Sequence, residues 1–317
     1  MTQQNLPTDK DSTLITNQNI FYFLGKQLEL ANGLIVFEAL YDTKCPYFFK
    51  DHILYGEIVV PGANHIALVM CAIQKHFCVK SFSLEEATFH KALVLSPEVA
   101  RIVRVTLKHQ DGDIYTYEVH SRKQTHESWV LHATGEVSLQ SLSKQTVFLP
   151  NKDHFTHSMQ QAEFYKSFAE NGYQLKATFQ WVHAVYWNEG EILAEIRAPK
   201  EVIDADQFVL FPSLIDSFYQ STTVGFPHGG LRKYTTSGAI YVPWTNLHIE
   251  FYGRQSLTQN YWCHIQIKNT LTDFNDKQEI FKGDLIVCDE QNNMVLKIND
   301  WVMKRVTSEQ LLSALEK

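Results

Sequence analysis

The sequence lacks an excess of positive charge. Its 317 residues contain 28 Lys and Arg against 35 Asp and Glu, which gives a formal net charge of −7. Basic side chains are also not gathered into a run, so nucleic acid and an anionic membrane surface are poor candidates for a partner. We therefore predict that the protein binds neither nucleic acid nor a membrane.

Long apolar runs and paired cysteines are missing as well. The first twenty residues are polar, and no apolar run reaches the roughly 18 residues that a membrane span requires. We expect no signal peptide and no transmembrane helix. The five cysteines are an odd number at irregular spacings, which predicts a reduced, cytoplasmic protein without a disulfide framework or a zinc site.

Strand-like segments, in contrast, are abundant. Aromatic and β-branched residues cluster in short runs bounded by Gly, Asp and Asn. An Asp-Gly pair between two of the runs is typical of a hairpin turn, so we predict a mainly antiparallel sheet. The clearest runs cover residues 33–41, 101–109, 113–122, 129–139, 261–269 and 279–289.

Three segments have helical periodicity. Residues 62–77 are apolar over most of a helical surface, which predicts a core helix wrapped by sheet. Residues 212–222 start with a proline that suits a first helical turn, and they predict a second core helix. Residues 158–172 are amphipathic and end at a glycine, which predicts a third helix.

The two core helices share one arrangement. Each follows a proline at the end of a strand-like segment, and each precedes several strands. This predicts one unit used twice, each an antiparallel sheet curled around a helix. The predicted division is a polar extension at 1–20, a first unit at 21–145, a linker at 146–162, a second unit at 163–308 and a tail at 309–317.

An acidic residue in the second core helix is a candidate for acid catalysis. Asp216 and Gln220 lie four positions apart, so both project from one helical face and Gln220 can orient the carboxyl group. The Leu, Ile, Phe and Tyr residues around Asp216 predict burial, which raises its pKa and lets it hold a proton near neutrality. The alternative is structural, with Asp216 capping a strand end or pairing with a Lys or Arg.

A histidine ahead of the first core helix is a candidate base. His52 is followed by Gly56, which permits a tight turn. Pro61 and Gly62 then open the predicted helix, where backbone N–H groups can polarise a carbonyl oxygen. A base, this helix end and a protonated carboxyl group suit removal of a proton alpha to a carbonyl with loss of a beta hydroxyl. The alternative is that His52 is structural, as most isolated histidines are.

The type, spacing and order of these residues match a known family. The sequence resembles the dehydratase domains of modular polyketide synthases, and segments 84–95, 120–137, 163–173 and 241–249 are similar to such domains in the same order. The resemblance implies an α+β double hotdog, in which two antiparallel sheets each wrap around a central helix. The first hotdog would carry the catalytic His and the second the catalytic Asp.

The resemblance also implies a reaction and a role for each residue. His52 would remove the alpha proton of a 3-hydroxyacyl thioester, Asp216 would protonate the departing hydroxyl, and Gln220 would hold Asp216 in place. The backbone N–H of Gly62 would bind the thioester carbonyl. The other substrate-binding residues that the resemblance implies are Gly56, Pro61, Tyr173, Leu175 and Phe179.

A carrier protein is the implied partner. The substrate would be held on the phosphopantetheine of an acyl carrier protein, with no metal and no nucleotide cofactor. Neighbouring polyketide synthase domains would be further partners, and a homodimer stays open. The polar first twenty residues and the tail at 308–317 favour a piece of a longer synthase over a free-standing protein.

Two positions depart from the family pattern. Leu175 stands where members usually carry the tyrosine of a Tyr-Gly-Pro triplet, and Phe211 stands where a histidine commonly precedes the proline. The missing hydroxyl leaves alternatives to dehydration open. These are a dehydratase-like enzyme that shifts a double bond or closes an oxygen heterocycle, and a non-catalytic acyl-binding scaffold. The presence of both His52 and Asp216 argues against the scaffold.

Overall fold

The computed structural model describes residues 21–30, 33–123, 127–225, 239–253, 260–269, 279–307 and 309–310. The predicted extension at 1–20 and most of the predicted tail lie outside this range. The α-helices are α1 (Phe21–Leu24), α2 (Gly62–Phe77), α3 (Gln161–Ala169) and α4 (Pro212–Thr222). Among the described residues, no helix is long and apolar enough to span a membrane.

Strands make up most of the rest of the described chain. Those before α3 are β1 (Lys26–Leu28), β2 (Ile35–Tyr41), β3 (His52–Leu54), β4 (Glu57–Val60), β5 (Phe82–Phe89), β6 (Leu93–Leu95), β7 (Arg101–His109), β8 (Ile114–Lys123), β9 (Val130–Ser138) and β10 (His157–Gln160). Those after α3 are β11 (Tyr173–Leu175), β12 (Val182–Asn188), β13 (Glu191–Arg197), β14 (Ala239–Phe251), β15 (Asn260–Ile267), β16 (Ile280–Asp289) and β17 (Met294–Thr307).

The fold is an α+β double hotdog. Thirteen strands lie in the order β1-β2-β7-β8-β9-β5-β14-β17-β16-β15-β13-β12-β10, and every pairing is antiparallel. The halves on either side of the β5–β14 pairing join edge to edge, with Phe82 opposite Phe251. Helix α2 packs against strands of the first half, α4 against strands of the second, and the two helices contact each other.

Both halves repeat one strand order. Counted outward from the junction, the first half runs β5-β9-β8-β7-β2 and the second runs β14-β17-β16-β15-β13. In each half the core helix lies in the chain between the last and the first strand of that series. The topology therefore contains the duplication that the sequence predicts. The boundaries of the two units stay a prediction, because one hydrophobic core runs through both halves.

The core helices have the bounds that the sequence predicts, whereas the third helix does not. Instead of a helix over 158–172, residues His157–Gln160 form β10 and the helix covers Gln161–Ala169. The prediction is wrong at this start because β10 pairs with β12 at the edge of the sheet, and strand pairing overrides the local helical period. Gly172 follows the helix end with φ +85°.

A small second sheet positions the candidate histidine. Its order is β11-β3-β4-β6. Strands β3 and β4 form a hairpin whose two-residue turn, Tyr55 and Gly56, has φ of +51° and +91°. Strand β11 comes from much later in the chain and pairs with β3, so that Leu175 lies opposite His52.

Candidate active site

His52 is held with a defined tautomer. Its side chain lies at the start of β3 and is only 5% exposed. The Nδ1 atom lies 2.6 Å from the carbonyl oxygen of Val59, which can only accept a hydrogen bond. Nδ1 therefore carries the proton of the neutral ring, and Nε2 is left with a lone pair. The ring of Phe179 packs against the imidazole at a centroid distance of 4.9 Å.

Asp216 faces the basic nitrogen of His52. Its Oδ2 atom lies 4.0 Å from His52 Nε2, and the residue is 7% exposed. Burial raises the pKa of Asp216, while the neighbouring His52 and a hydrogen bond from Gln220 oppose that rise. Burial of the carboxyl group and the resulting upward shift of its pKa agree in direction with the expectation from the sequence, while the catalytic roles of His52 and Asp216 stay a prediction.

A chain of hydrogen bonds orients the carboxyl group. The N–H of Val182 donates to the hydroxyl of Tyr165 at 2.9 Å, and that hydroxyl donates to Gln220 Oε1 at 3.0 Å. The amide group of Gln220 then donates to Asp216 Oδ2 at 2.8 Å and to the carbonyl of Phe179 at 3.3 Å. Because Tyr165 occupies the amide oxygen, the NH₂ group of Gln220 must face Asp216.

Two contributors to this arrangement were missed in the sequence. Tyr165 belongs to α3, for which the sequence predicts an amphipathic helix without naming any site residue. Asp51 precedes His52, and its carboxylate accepts from the N–H of Thr178 at 3.1 Å and from the hydroxyl at 2.9 Å. This contact holds the short 3₁₀ turn Ala177–Phe179 beside β3, which places Phe179 against His52.

A cavity of about 400 Å³ joins these groups. Its wall contains His52 and Asp216. Five of the other site residues predicted from the sequence also line it, namely Gln220, Pro61, Gly62, Tyr173 and Leu175. The hydroxyl of Tyr173 donates to the carbonyl of Tyr241 at 2.9 Å. With this hydroxyl engaged, Tyr173 and Leu175 form a wall that offers little hydrogen bonding.

Gly56 and Phe179 do not belong to the cavity wall, although the family resemblance implies that both bind substrate. Gly56 occupies the β3–β4 turn, where its positive φ favours glycine and where a Cβ would meet no atom within 4 Å. The turn sets the register that carries Val59 past His52. The geometry therefore assigns Gly56 and Phe179 to the positioning of His52.

The start of α2 opens on the cavity. Pro61 caps the helix without a side-chain hydrogen bond, and Gly62 is its first residue. The first N–H groups of an α-helix have no intrahelical partner and carry partial positive charge. A side chain at position 62 would place its Cβ 3.3 Å from the ring of Phe89, so glycine keeps the backbone approachable. This helix end suits a carbonyl oxygen that gains negative charge.

The cavity wall contains more basic than acidic side chains. Lys91, Lys304 and Arg305 line it, and Asp216 is the single acidic residue among the described lining residues. Arg305 Nη1 also lies 3.9 Å from Glu279 Oε1, and Lys304 Nζ lies 4.3 Å from the centre of the Trp244 ring. Within the described ranges, no group of three or more His, Cys, Asp or Glu side chains could hold a metal ion.

Two models of known families match the chain, one in each half. Residues 22–122 match the polyketide synthase dehydratase domain, and residues 150–313 match the polyketide synthase dehydratase N-terminal domain. The chain belongs to the family of polyketide synthase dehydratase domains. Among curated proteins, it is 24% identical to polyketide synthase PksN and 20% identical to PksM, both of Bacillus subtilis (strain 168), over 81% and 84% of the chain. The chain spans only 4% and 6% of the length of these relatives.

Solved structures share the fold along nearly the whole chain. The dehydratase domain from the CurJ module of the curacin polyketide synthase is 25% identical, with a TM-score of 0.79, and the match covers 92% of this chain and 98% of that one. A trans-AT polyketide synthase dehydratase domain from Brevibacillus brevis is 18% identical, with a TM-score of 0.75, and covers 90% of this chain and 98% of that one. The second likeness concerns the fold alone.

Proposed function

We propose that this domain removes water from a 3-hydroxyacyl thioester on an acyl carrier protein and yields an enoyl thioester during polyketide assembly. The observation that carries the proposal is the pair His52 Nε2 and Asp216 Oδ2, 4.0 Å apart in the wall of a cavity that also contains the uncapped start of α2. A base, an acid and a carbonyl-binding helix end are the groups that this elimination needs.

The reaction follows from the protonation states. His52 Nε2 takes the alpha proton, and the electron pair of that C–H bond moves toward the carbonyl, whose oxygen accepts from the N–H of Gly62. The alpha–beta double bond then forms as the beta C–O bond breaks. Asp216 gives its proton to the departing hydroxyl, which leaves as water. Transfer of the acquired proton from His52 to the Asp216 carboxylate restores both groups.

The excess of basic over acidic side chains in the cavity wall supports a carrier-bound substrate. Phosphopantetheine is attached through a phosphodiester, and Lys91 and Lys304 among the lining residues can offer positive charge to it. The proposal includes an acyl carrier protein and neighbouring synthase domains as partners, and it requires neither a metal nor a nucleotide. A cytoplasmic location and a homodimer remain predictions.

The alternatives place different demands on Asp216. A double-bond isomerase or an oxygen-heterocycle cyclase needs no proton donor for a leaving hydroxyl, and an acyl-binding scaffold needs neither reactive group. The raised pKa of Asp216 and the hydrogen-bond chain that orients it favour a working acid. Dehydration therefore comes first among the three.

Mass spectrometry of a carrier-bound 3-hydroxyacyl chain tests the proposal. We expect the loss of one water from the loaded carrier, and no change in a control carrier whose acyl chain lacks the 3-hydroxyl group. A shifted double bond in a carrier-bound enoyl chain without water loss would favour the isomerase. A cyclic ether would favour the cyclase, and binding without any product would favour the scaffold.

A further inference from the structure

The cavity wall contains a buried histidine that the proposed reaction does not use. His65 belongs to α2, is 4% exposed and lines the same cavity as His52 and Asp216. Its ring stacks on that of His132 at a centroid distance of 5.7 Å and an interplanar angle of 14°. Its Nδ1 atom is closed off and has no hydrogen-bond partner among the described residues.

His132 is the instructive comparison, because it is buried in the same stack but lies outside the cavity wall. Both of its ring nitrogens have partners, with Nε2 2.7 Å from Ser121 Oγ and Nδ1 2.8 Å from the carbonyl oxygen of Lys91. Buried polar groups in proteins are nearly always hydrogen-bonded. The protein thus satisfies both ring nitrogens of His132 from its own chain, whereas Nδ1 of the cavity-lining His65 has no partner among the described residues.

The protonation state of His65 makes it a donor toward the cavity. Burial, with a smaller contribution from His132, lowers the pKa of His65 to about 3, so the ring is neutral under ordinary conditions. A neutral ring carries one N–H group. A buried N–H group without an acceptor is tolerated less well than a buried nitrogen lone pair without a donor. The closed-off Nδ1 therefore holds the lone pair, and Nε2 holds the proton.

The position of His65 identifies the acceptor. His65 follows Gly62 by three residues, so the two lie on one face of α2, and helical side chains lean toward the helix N-terminus. His65 and Gly62 therefore lie on the same side of α2, and both line the cavity. We propose that His65 donates a second hydrogen bond to the thioester carbonyl oxygen, a role that rests on the proposed function of this site.

The consequence for the reaction is a two-donor site for the developing enolate. When His52 removes the alpha proton, negative charge moves onto the thioester oxygen. Gly62 then contributes a backbone N–H and His65 an uncharged imidazole N–H, and neither has to give up its proton. Donors of this kind stabilise the charge more in the transition state than in the bound substrate.

Two substitutions separate a donor from a packing residue. His65→Phe keeps an aromatic ring and removes both nitrogens, whereas His65→Gln keeps an N–H donor. We expect the Phe variant to lose about 100-fold in kcat, with KM little changed, and the Gln variant to recover part of the loss. The thermal midpoint of the Phe variant should not fall, because an unpaired buried nitrogen disappears. His76→Phe, on the exposed end of the same helix, is the matched control and should keep full turnover.

Infrared spectroscopy reads the hydrogen bond directly. The probe is butanoyl-pantetheine with a ¹³C-labelled thioester carbonyl, which lacks the 3-hydroxyl group and cannot be dehydrated. We expect the bound carbonyl band at a lower frequency in the wild type and the Gln variant than in the Phe variant, and unchanged in His76→Phe. If the Phe variant does not fold, His65→Leu takes its place. An identical band in wild type and the donor-less variant overturns the role of His65, whatever reaction the site performs.

Discussion

The two halves of the double hotdog place their reactive groups differently on the same frame. In the second half, Asp216 belongs to the core helix α4 itself. In the first half, His52 lies on a hairpin strand ahead of α2, and α2 contributes its N-terminal backbone together with His65. In the proposed reaction, the second half thus contributes an acid from the side of a helix and the first half contributes a base and a helix end, so neither half holds a complete site.

The first residues of the two core helices α2 and α4 also differ in their surroundings. Pro61 and Gly62 open α2 on the cavity, whereas Phe211 and Pro212 open α4 inside the core. The ring of Phe211 packs against those of Phe48 and Phe208 at centroid distances of 4.9 and 4.8 Å. A histidine at position 211 would require a hydrogen-bond partner among these rings, and phenylalanine does not. The start of α2 thus faces the cavity, whereas the start of α4 is part of the packed core.

The base of the first half provides the test with the largest effect. His52→Ala removes the general base and leaves the β3–β4 hairpin paired, so we expect turnover to fall by about 10²- to 10⁴-fold while the circular dichroism spectrum is unchanged. Turnover is measured on a carrier-bound 3-hydroxyacyl chain. Wild-type turnover in this variant would make His52 structural and the mechanism wrong.

Replacement of the acid in the second half should have the next largest effect. Asp216→Asn keeps the shape and removes the transferable proton, and we expect a loss of about 10²-fold in the same assay. If alpha-proton exchange with solvent deuterium persists in this variant, the base of the first half works without the acid of the second. Water loss at the wild-type rate would remove Asp216 from the mechanism.

The hydrogen-bond chain behind Asp216 should matter less than the acid it orients. Tyr165→Phe deletes the hydroxyl between Val182 and Gln220, and Gln220→Ala deletes the donor to Asp216. We expect each to reduce kcat by about tenfold, below the effect of losing a general acid, and the double variant to lose less than the product of the two. A larger loss from Gln220→Ala than from Asp216→Asn would reverse the assignment.

Unfolding experiments test the protonation of Asp216 without any substrate. Because the folded pKa of Asp216 lies above its unfolded value, the folded state binds more protons between the two values. Stability contributed by protonated Asp216 is therefore present below about pH 4 and is lost as the pH rises through the folded pKa, by about 1.4 kcal/mol for each unit of pKa difference. Other shifted carboxylates, such as Glu191 and Glu195, titrate in both proteins, so the test is the difference between them. In denaturant unfolding, the stability of the wild type relative to Asp216→Asn should fall as the pH rises across this window.

The sequence was informative where one segment determines the outcome. Helices α2 and α4 follow from apolar residues at helical spacing and from the proline at the helix start, and β7 follows from a nine-residue run with four β-branched residues. His52 and Asp216 stood out because their neighbours are typical of a turn, a helix start and a buried helix.

Features that depend on distant pairing were missed. Tyr165 contacts a residue 55 positions away, and Asp51 contacts one 127 positions away. Strand β14 carries Pro243, which argues against a central strand, yet the register of β14 and β17 shifts between Pro243 and Thr245 and absorbs it. No local period contains such information, because the partner strand supplies the constraint.

Leu175, the strand neighbour of His52, is expected to affect which acyl chain the site accepts and not the reaction itself. Leu175 places an isobutyl group in the cavity wall where the family pattern has the hydroxyl of a tyrosine. A polar substituent of the substrate that is buried there would lack a hydrogen-bond partner, at a cost of roughly 1 to 3 kcal/mol. We expect a preference for acyl chains that are apolar beside the reacting carbons, and dehydration without ring closure.

The measurement is a competition between two carrier-bound substrates, one with an alkyl group and one with an additional hydroxyl at the distal carbon, read by chromatography and mass spectrometry. Leu175→Tyr, which returns the hydroxyl, should narrow the difference. Ring closure needs a second hydroxyl held as a nucleophile, and an apolar wall gives that hydroxyl little support. Faster turnover of the dihydroxy chain by the wild type, or a cyclic ether formed from it, would therefore contradict this expectation and favour the cyclase.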